Sequence, residues 1–413
     1  MEDIMKIKTF AFFAVLSFLM VNISAKPKEL YKVSVQEKVK LNKYNKQLGY
    51  QLINNGDTVV FVFDAKSWKV EQPKRVFVEG SFNGWSKKSV NWELAETDEK
   101  VFMLECEKID VQVPGNSGYP EFRFIVHADV PYNDTVCGQP IVRYKPEILE
   151  LEPISRLPGY QMASNCLILF PSDEPGVVVK NAADSTKVKK LKDFDLSKPE
   201  DIAAISNFRK VPGTENLYRG YHPYKISRGK FDTEKTRLQL VVKQLKEKGI
   251  KTIITLSGDE SLTDKEQLPV FVTEIRRNKS ELFVETDYNT VYYNSTGKEF
   301  GRLMGEIISY INSHEGPYYV HCRLGTDRTG VVSAYLAALC GATWQEIAED
   351  YQKSNNMFIQ EFRDARLLKH SFNSILGVDV SEVSDLQKEI SQYFIERKII
   401  TREDFELLKK KLQ

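Results

Sequence analysis

The sequence predicts two folded units: an all-β sandwich, followed by an α/β domain whose central sheet is flanked by helices. Three observations carry this. The 413 residues exceed what one ordinary core accommodates. From about Val33 to Phe170, apolar residues fall in short β-branched and aromatic runs punctuated by Gly, Pro, Asn and Asp, the layout of a sandwich. From residue 201 onward, amphipathic helical segments alternate with short apolar strands, as in a layered α/β domain. Hydrophobic content of 42% and charged content of 28% describe ordinary globular domains, while a formal net charge of +1 excludes a protein-wide field for nucleic acid.

Residues 1–25 read as a secretory signal peptide. Lys6 and Lys8 precede an apolar run from Phe10 to Ile23, and Ser24-Ala25 places a small residue just before Lys26. The run is about fourteen residues, short of the ~20 that cross a bilayer. Export to a periplasmic or extracellular location is expected, with no stable membrane span after cleavage; an uncleaved anchor is the alternative. Five cysteines in an exported chain leave at least one thiol free. One disulfide among Cys106, Cys137 and Cys166 fits the count, with the pair undetermined.

The sandwich is expected over 26–170, with strands at Val59–Phe63, Arg75–Val78, Val101–Leu104, Phe122–Val126 and, last, Cys166–Phe170 before Pro171. Residues 171–200 lack sustained periodicity and read as a linker. In the domain over 201–413, Leu217–Arg219 is a strand end and Thr233–Lys248 an amphipathic helix stopped by Gly249. Ile250–Leu256 is a buried strand, Lys265–Asn278 a helix and Glu281–Glu285 a strand. Thr296-Gly297-Lys298-Glu299 suggests a capping box opening a helix to about Ser313. Pro317–His321 is the strand leading to Cys322. Arg328–Leu339 is the next helix, with Cys340 closing its apolar face, and the tail from Thr343 is helical.

The passage from Tyr319 to Gly330 holds the chemistry. It sets Cys322 directly after an apolar strand, Arg328 six residues later, and a helix start at that arginine. A loop entering a helix N-terminus turns backbone N–H groups toward an anion, and the same field favours thiolate over thiol. Cys322 is therefore the expected nucleophile, with a depressed pKa, in phosphate-ester hydrolysis through a cysteinyl-phosphate. Arg328 supplies a planar fork for two phosphate oxygens. Gly325 allows close backbone approach, and Thr329 can hydrogen-bond the thiolate. Arg323, Leu324, Gly325, Thr326, Asp327 and Arg328 form the expected phosphate-binding loop.

This loop resembles that of the cysteine-based protein tyrosine phosphatase superfamily, in which His-Cys is followed by five residues and then Arg-Ser/Thr; His321, Cys322, Gly325, Arg328 and Thr329 meet every fixed position. Asn207-Phe208-Arg209 and Leu217-Tyr218-Arg219-Gly220 resemble opening elements of a bacterial tyrosine and lipid phosphatase branch, with Gly220 in place of the usual serine. The resemblance implies a general acid about thirty to forty residues before the cysteine. Asp287 lies thirty-five residues before it. Asp327, beside Arg328, is the rival, as acid or as a loop-orienting group. His321 is expected to shape the loop. The remaining histidines show no metal-ligand spacing, and neither metal nor cofactor is expected. The partner is a phosphorylated substrate: a phosphoprotein, an inositol phosphate or phosphoinositide, or a phosphoglucan.

The segment Val76 to Trp85 resembles the glycogen-binding module of the AMP-activated kinase β subunit, an immunoglobulin-like carbohydrate-binding sandwich. The resemblance implies a glycan as second partner, with Trp85 stacking on sugar, Arg123 as a basic contact and Asn165 as a late contact. The second stacking tryptophan is not evident; Val130 or Tyr132 stands near its place.

Overall fold

The computed structural model describes residues 41, 43–85, 90–98, 100–136, 139–151, 166–257 and 268–413. Residues 1–25, read above as a signal peptide, together with Cys137 and Asn165, lie outside the described residues.

Each β-rich run predicted between 59 and 126 falls inside a strand. The N-terminal strands are β1 (Tyr50–Ile53), β2 (Thr58–Asp64), β3 (Gln72–Gly80), β4 (Glu93–Asp98), β5 (Val101–Glu107), β6 (Glu121–Val136), β7 (Gln139–Leu151) and β8 (Cys166–Leu167). They pair antiparallel in the order β1-β2-β5-β4-β3-β6-β7, with β8 against β6. Phe61 and Phe63 of β2, Val76 and Val78 of β3, Phe102 of β5, and Phe122 and Phe124 of β6 share one buried cluster. Strands from both halves of the sheet therefore contribute to a single core.

Two predicted features differ here. The strand expected over Phe122–Val126 runs on through Pro131, Asn133 and Asp134 to Val136 as β6, which pairs with β7 along a hairpin arm. The strand expected over 166–170 stops at Leu167. Beyond it, the Leu169 amide donates to Tyr50 Oη at 3.0 Å and the Phe170 amide to Asp173 Oδ2 at 2.8 Å, so side chains take the place of a strand neighbour.

The stretch read as a linker contains a helix, Pro175–Thr186, whose proline occupies the first turn, where a missing N–H costs nothing. Val178 is buried against Tyr119 and Leu167. Besides this short apolar contact, Asn181 Nδ2 donates to Asp364 Oδ2 at 2.8 Å, and so little apolar burial leaves no periodic stripe in the sequence.

The C-terminal part is a five-stranded sheet of β9 (Arg209–Lys210), β10 (Leu217–Gly220), β11 (Thr252–Thr255), β12 (Glu281–Phe283) and β13 (Tyr318–His321), in the order β12-β11-β13-β10-β9. Only β9 runs antiparallel to its neighbour. All residues of β11 and β13 are buried, as strands covered on both faces must be. Tyr318 and Val320 enter the cluster formed with the Lys298–Ser313 and Asp327–Leu339 helices. Tyr319 enters the opposite cluster, with Val241, Leu245, Val272 and Ile275.

Two helix starts move. The helix expected over Lys265–Asn278 is Val270–Arg277, beginning directly after Pro269. The capping box at Thr296 is not formed: the helix starts at Lys298 with Gly297 as N-cap. A Cβ at Gly297 would lie 2.5 Å from the Asn294 side chain, so the close approach of Asn294 makes glycine the residue that fits the turn.

Candidate active site

Cys322 leaves the carboxyl end of β13, the central strand of the sheet, where open parallel sheets place their ligands. It is 3% exposed. From there the loop runs into the Asp327–Leu339 helix, whose N-terminus faces the thiol's cavity. That cavity, about 220 Å³, is lined by Cys322, Arg323, Leu324, Asp327 and Arg328, and from another loop by Ser227 and Arg228. Five of the predicted site residues thus meet in one place.

The loop is held from behind. Asn207 Nδ2 donates to the Leu324 carbonyl at 2.9 Å, Arg219 Nη2 to that of Gly325 at 2.8 Å, and the His222 amide to that of Arg323 at 3.3 Å. In a trans peptide the N–H points opposite the C=O. The amides of Leu324, Gly325 and Thr326 therefore face away from these donors. Gly325 has φ +73°, and a Cβ there would sit 2.1 Å from the Gly220 carbonyl oxygen. Gly220, which replaces the usual serine, is itself hemmed in: its Cβ would lie 2.7 Å from Tyr319 Oη.

Buried charge backs this support. Asp350 accepts from Arg209 Nε at 2.6 Å and Arg219 Nη1 at 2.8 Å. Burial alone would raise the Asp350 carboxyl, but the two guanidiniums hold it below the ordinary aspartate value. Burial draws Arg209 down to about 10 against the attraction of Asp350. A larger cavity, about 520 Å³, lies behind this network along Lys210, Pro212 and Thr214, away from Cys322.

The remaining predicted residues divide. Arg328 Nη1 donates to the carbonyls of Leu256 at 3.0 Å and Thr286 at 3.3 Å, which fixes the guanidinium across the strand ends. His321 is fully buried, with Nε2 2.9 Å from Thr255 Oγ1 and Nδ1 3.2 Å from the Cys322 carbonyl. Both ring nitrogens are engaged, as a shaping role requires. Thr329 Oγ1 and Thr326 Oγ1 are buried and have no partner among the described residues.

Asp327 is gripped bidentately by Arg363, Nε to Oδ1 at 2.6 Å and Nη2 to Oδ2 at 3.0 Å, and accepts from Tyr292 Oη at 3.1 Å. Burial alone would lower Arg363, but the Asp327 carboxylate outweighs it and holds the guanidinium above its usual range. Asp287 is exposed and is not among the residues lining the cavity. Its Oδ1 accepts from the Thr290 amide at 2.7 Å as N-cap of the Tyr288–Tyr292 helix. The residue before it, Thr286, is the one whose carbonyl anchors Arg328.

Sequence reasoning missed Ser227, Arg228, Asp350 and Arg363. Arg323 Nε donates to Ser227 Oγ at 3.1 Å, and Arg228 pairs with Glu361. A basic residue in a polar loop or a carboxylate on an amphipathic helix carries no local signal of its partner. Of the expected glycan residues, Trp85 and Arg123 do come together, with the guanidinium 5.7 Å from the ring centroid. Arg123 is also paired with Glu79, and with Glu150 at 2.9 Å, and Trp85 occupies a turn at φ +56°. Among the described residues, no group of three or more His, Cys, Asp or Glu could hold a metal ion.

No curated protein matches the chain. Among solved structures, the core catalytic domain of the PP-IP phosphatase SIW14 from S. cerevisiae, in complex with citrate, is 17% identical. That alignment covers 38% of this chain and 85% of the other, at a TM-score of 0.24, too low to carry an argument. The profile of the tyrosine phosphatase family matches residues 192–412, just over half the chain, including the whole sheet that carries Cys322. The chain belongs to the tyrosine phosphatase family and is a cysteine-dependent phosphatase.

Proposed function

We propose that this protein is an exported phosphomonoesterase with Cys322 as nucleophile, acting on multiply charged phosphate esters such as inositol phosphates. The observation that carries the reading is the single small cavity holding Cys322 together with Arg228, Arg323 and Arg328 at a helix N-terminus. Arg323 and Arg328 beside one thiol, with Arg228 sharing its charge with Glu361, favour a polyanion over a singly phosphorylated, otherwise neutral substrate.

In the first step the Cys322 thiolate attacks phosphorus and the ester P–O bond breaks. Arg328 and the amides of the loop hold the non-bridging oxygens, where charge accumulates. The leaving oxygen takes a proton from Asp287. In the second step the Asp287 carboxylate accepts a proton from water. Hydroxide then displaces Sγ from phosphorus, releasing phosphate and restoring the thiolate, with Thr329 Oγ1 as hydrogen-bond donor to sulfur. Asp327, committed to Arg363, holds the loop beside Arg328 rather than donating the proton.

The N-terminal unit, 26–170, is proposed as the immunoglobulin-like sandwich, with residues 1–25 as its cleaved signal and 171–200 joining it to the catalytic domain over 201–413. A glycan ligand has thinner support, because Arg123 is already committed to Glu79 and Glu150.

The test is phosphate release by residues 26–413 and by Cys322→Ser under reducing conditions. An aryl phosphate, a phosphotyrosine peptide, inositol hexakisphosphate and phosphorylated amylopectin are compared side by side. Cysteine-dependent release with inositol hexakisphosphate preferred is the expected result. Preference for the peptide or amylopectin overturns the substrate class, and turnover by Cys322→Ser overturns the mechanism.

A further inference from the structure

The loop between Pro114 and Tyr119 of the N-terminal unit lies directly against the catalytic domain. Asn116 makes two of the contacts: its Oδ1 accepts from Tyr288 Oη, and its carbonyl accepts from the Asp364 amide at 3.1 Å. The Pro114 carbonyl accepts from Tyr293 Oη at 3.1 Å. Arg366 stacks on Tyr119 with its guanidinium 3.9 Å from the ring centroid. The turn closes this tightly because residue 118 is glycine: at φ +83°, a Cβ there would lie 2.6 Å from Asp364 Cγ.

These contacts fall at two informative places. Tyr288 directly follows Asp287 and opens the helix that Asp287 caps. Asp364 directly follows Arg363, which grips Asp327. One loop thus touches the chain one residue beyond Asp287 and one residue beyond Arg363, the arginine that holds Asp327. A five-residue helix has too few internal hydrogen bonds to fix its own orientation. What fixes it here is the tyrosine set around it, and burial holds the Tyr288, Tyr292 and Tyr293 hydroxyls well above their ordinary pKa, as neutral donors. The loop is itself internally tied, with Glu121 Oε1 accepting from the Ser117 amide at 2.8 Å and from its hydroxyl at 2.7 Å.

We infer that Asn116 is a positioning residue for catalysis: the N-terminal unit clamps the Tyr288–Tyr292 helix so that Asp287 is presented to the leaving oxygen. This rests on the assignment of Asp287 as general acid. Asn116 acts through Tyr288 and does not touch substrate. The β unit is then part of the catalytic apparatus whatever else it binds.

The test uses the full mature chain and compares phenyl phosphate, whose leaving group needs the proton, with dinitrophenyl phosphate, whose leaving group does not. Asn116→Ala and, as the milder change, Tyr288→Phe are each expected to lower kcat roughly ten-fold on phenyl phosphate and by less than about two-fold on dinitrophenyl phosphate, with KM little changed. In an Asp287→Asn background, the same changes should have no further effect on phenyl phosphate. A general loss of folding would lower both esters equally. Equal losses on both in Asn116→Ala and Tyr288→Phe, alongside a leaving-group-dependent Asp287→Asn, overturn the clamp alone. Equal losses in Asp287→Asn itself overturn the acid assignment and, with it, the positioning of that acid.

Discussion

Gly325→Ala tests whether the support behind the phosphate loop sets the rate. Two costs arise. At φ +73° an alanine is held in the left-handed region, which costs about 1–2 kcal/mol. Its Cβ would also lie 2.1 Å from the oxygen and 2.4 Å from the carbon of the Gly220 carbonyl, and 3.0 Å from Asn207 Nδ2. Gly220 is backbone of β10, paired in register with His321, and cannot retreat. The loop must move instead, and the bond from Arg219 to the Gly325 carbonyl goes with it. A hydrogen bond from a charged donor is worth about 1.5–3 kcal/mol, so the total is about 2.5–5 kcal/mol. Loop displacement of even ~1 Å should lower kcat/KM on an aryl phosphate by roughly 100-fold. The melting temperature should fall by roughly 5–20 °C over a catalytic domain of this size. Calorimetry and initial rates on one preparation measure both. A Gly325→Ala protein that turns over within about three-fold of the parent would refute the argument, since that is less than 1 kcal/mol of transition-state stabilisation.

Asp350→Asn should leave Arg209 and Arg219 without their shared counter-charge, destabilising the domain by about 3–5 kcal/mol in denaturant titration at neutral pH. Because the native Asp350 carboxyl titrates below its unfolded value, its stabilisation is complete above about pH 4 and lost as pH falls through the native value. The parent should therefore lose stability over that acid window, and Asp350→Asn should lose less. Arg228→Ala should raise KM for inositol hexakisphosphate by about ten-fold and that for an aryl phosphate by much less, the loss of ~1.4 kcal/mol expected for one phosphate contact. Gly220→Ser should destabilise by about 1–3 kcal/mol through the clash with Tyr319 Oη, read as a lower melting temperature.

Much of the site was legible because its chemistry is local. Cys322, Arg328 and the strand before them sit within a dozen residues, and each of those types at that spacing has a physical reason. Asp350 and Arg363 were not legible, because their partners are Arg219 and Asp327, 131 and 36 positions away. The β6–β7 arm was lost to its own residues, since proline and asparagine that normally end strands stand in exposed positions where no core packing opposes them. The helix over Pro175–Thr186 was missed for the opposite reason: it buries too little to show a stripe.

The pairing of Arg209 and Arg219 with Asp350 also governs when the site comes into being. Those arginines are synthesised early in the domain, yet their counter-charge arrives more than a hundred residues later, after the loop itself. A chain that has emerged only as far as Cys322 has two guanidiniums with no carboxylate to enter the interior with, so burying them is strongly disfavoured. The loop can take its working shape only once the Trp344–Lys353 helix has docked. A chain truncated before that helix therefore keeps Cys322 but lacks the buried carboxylate that Arg209 and Arg219 share.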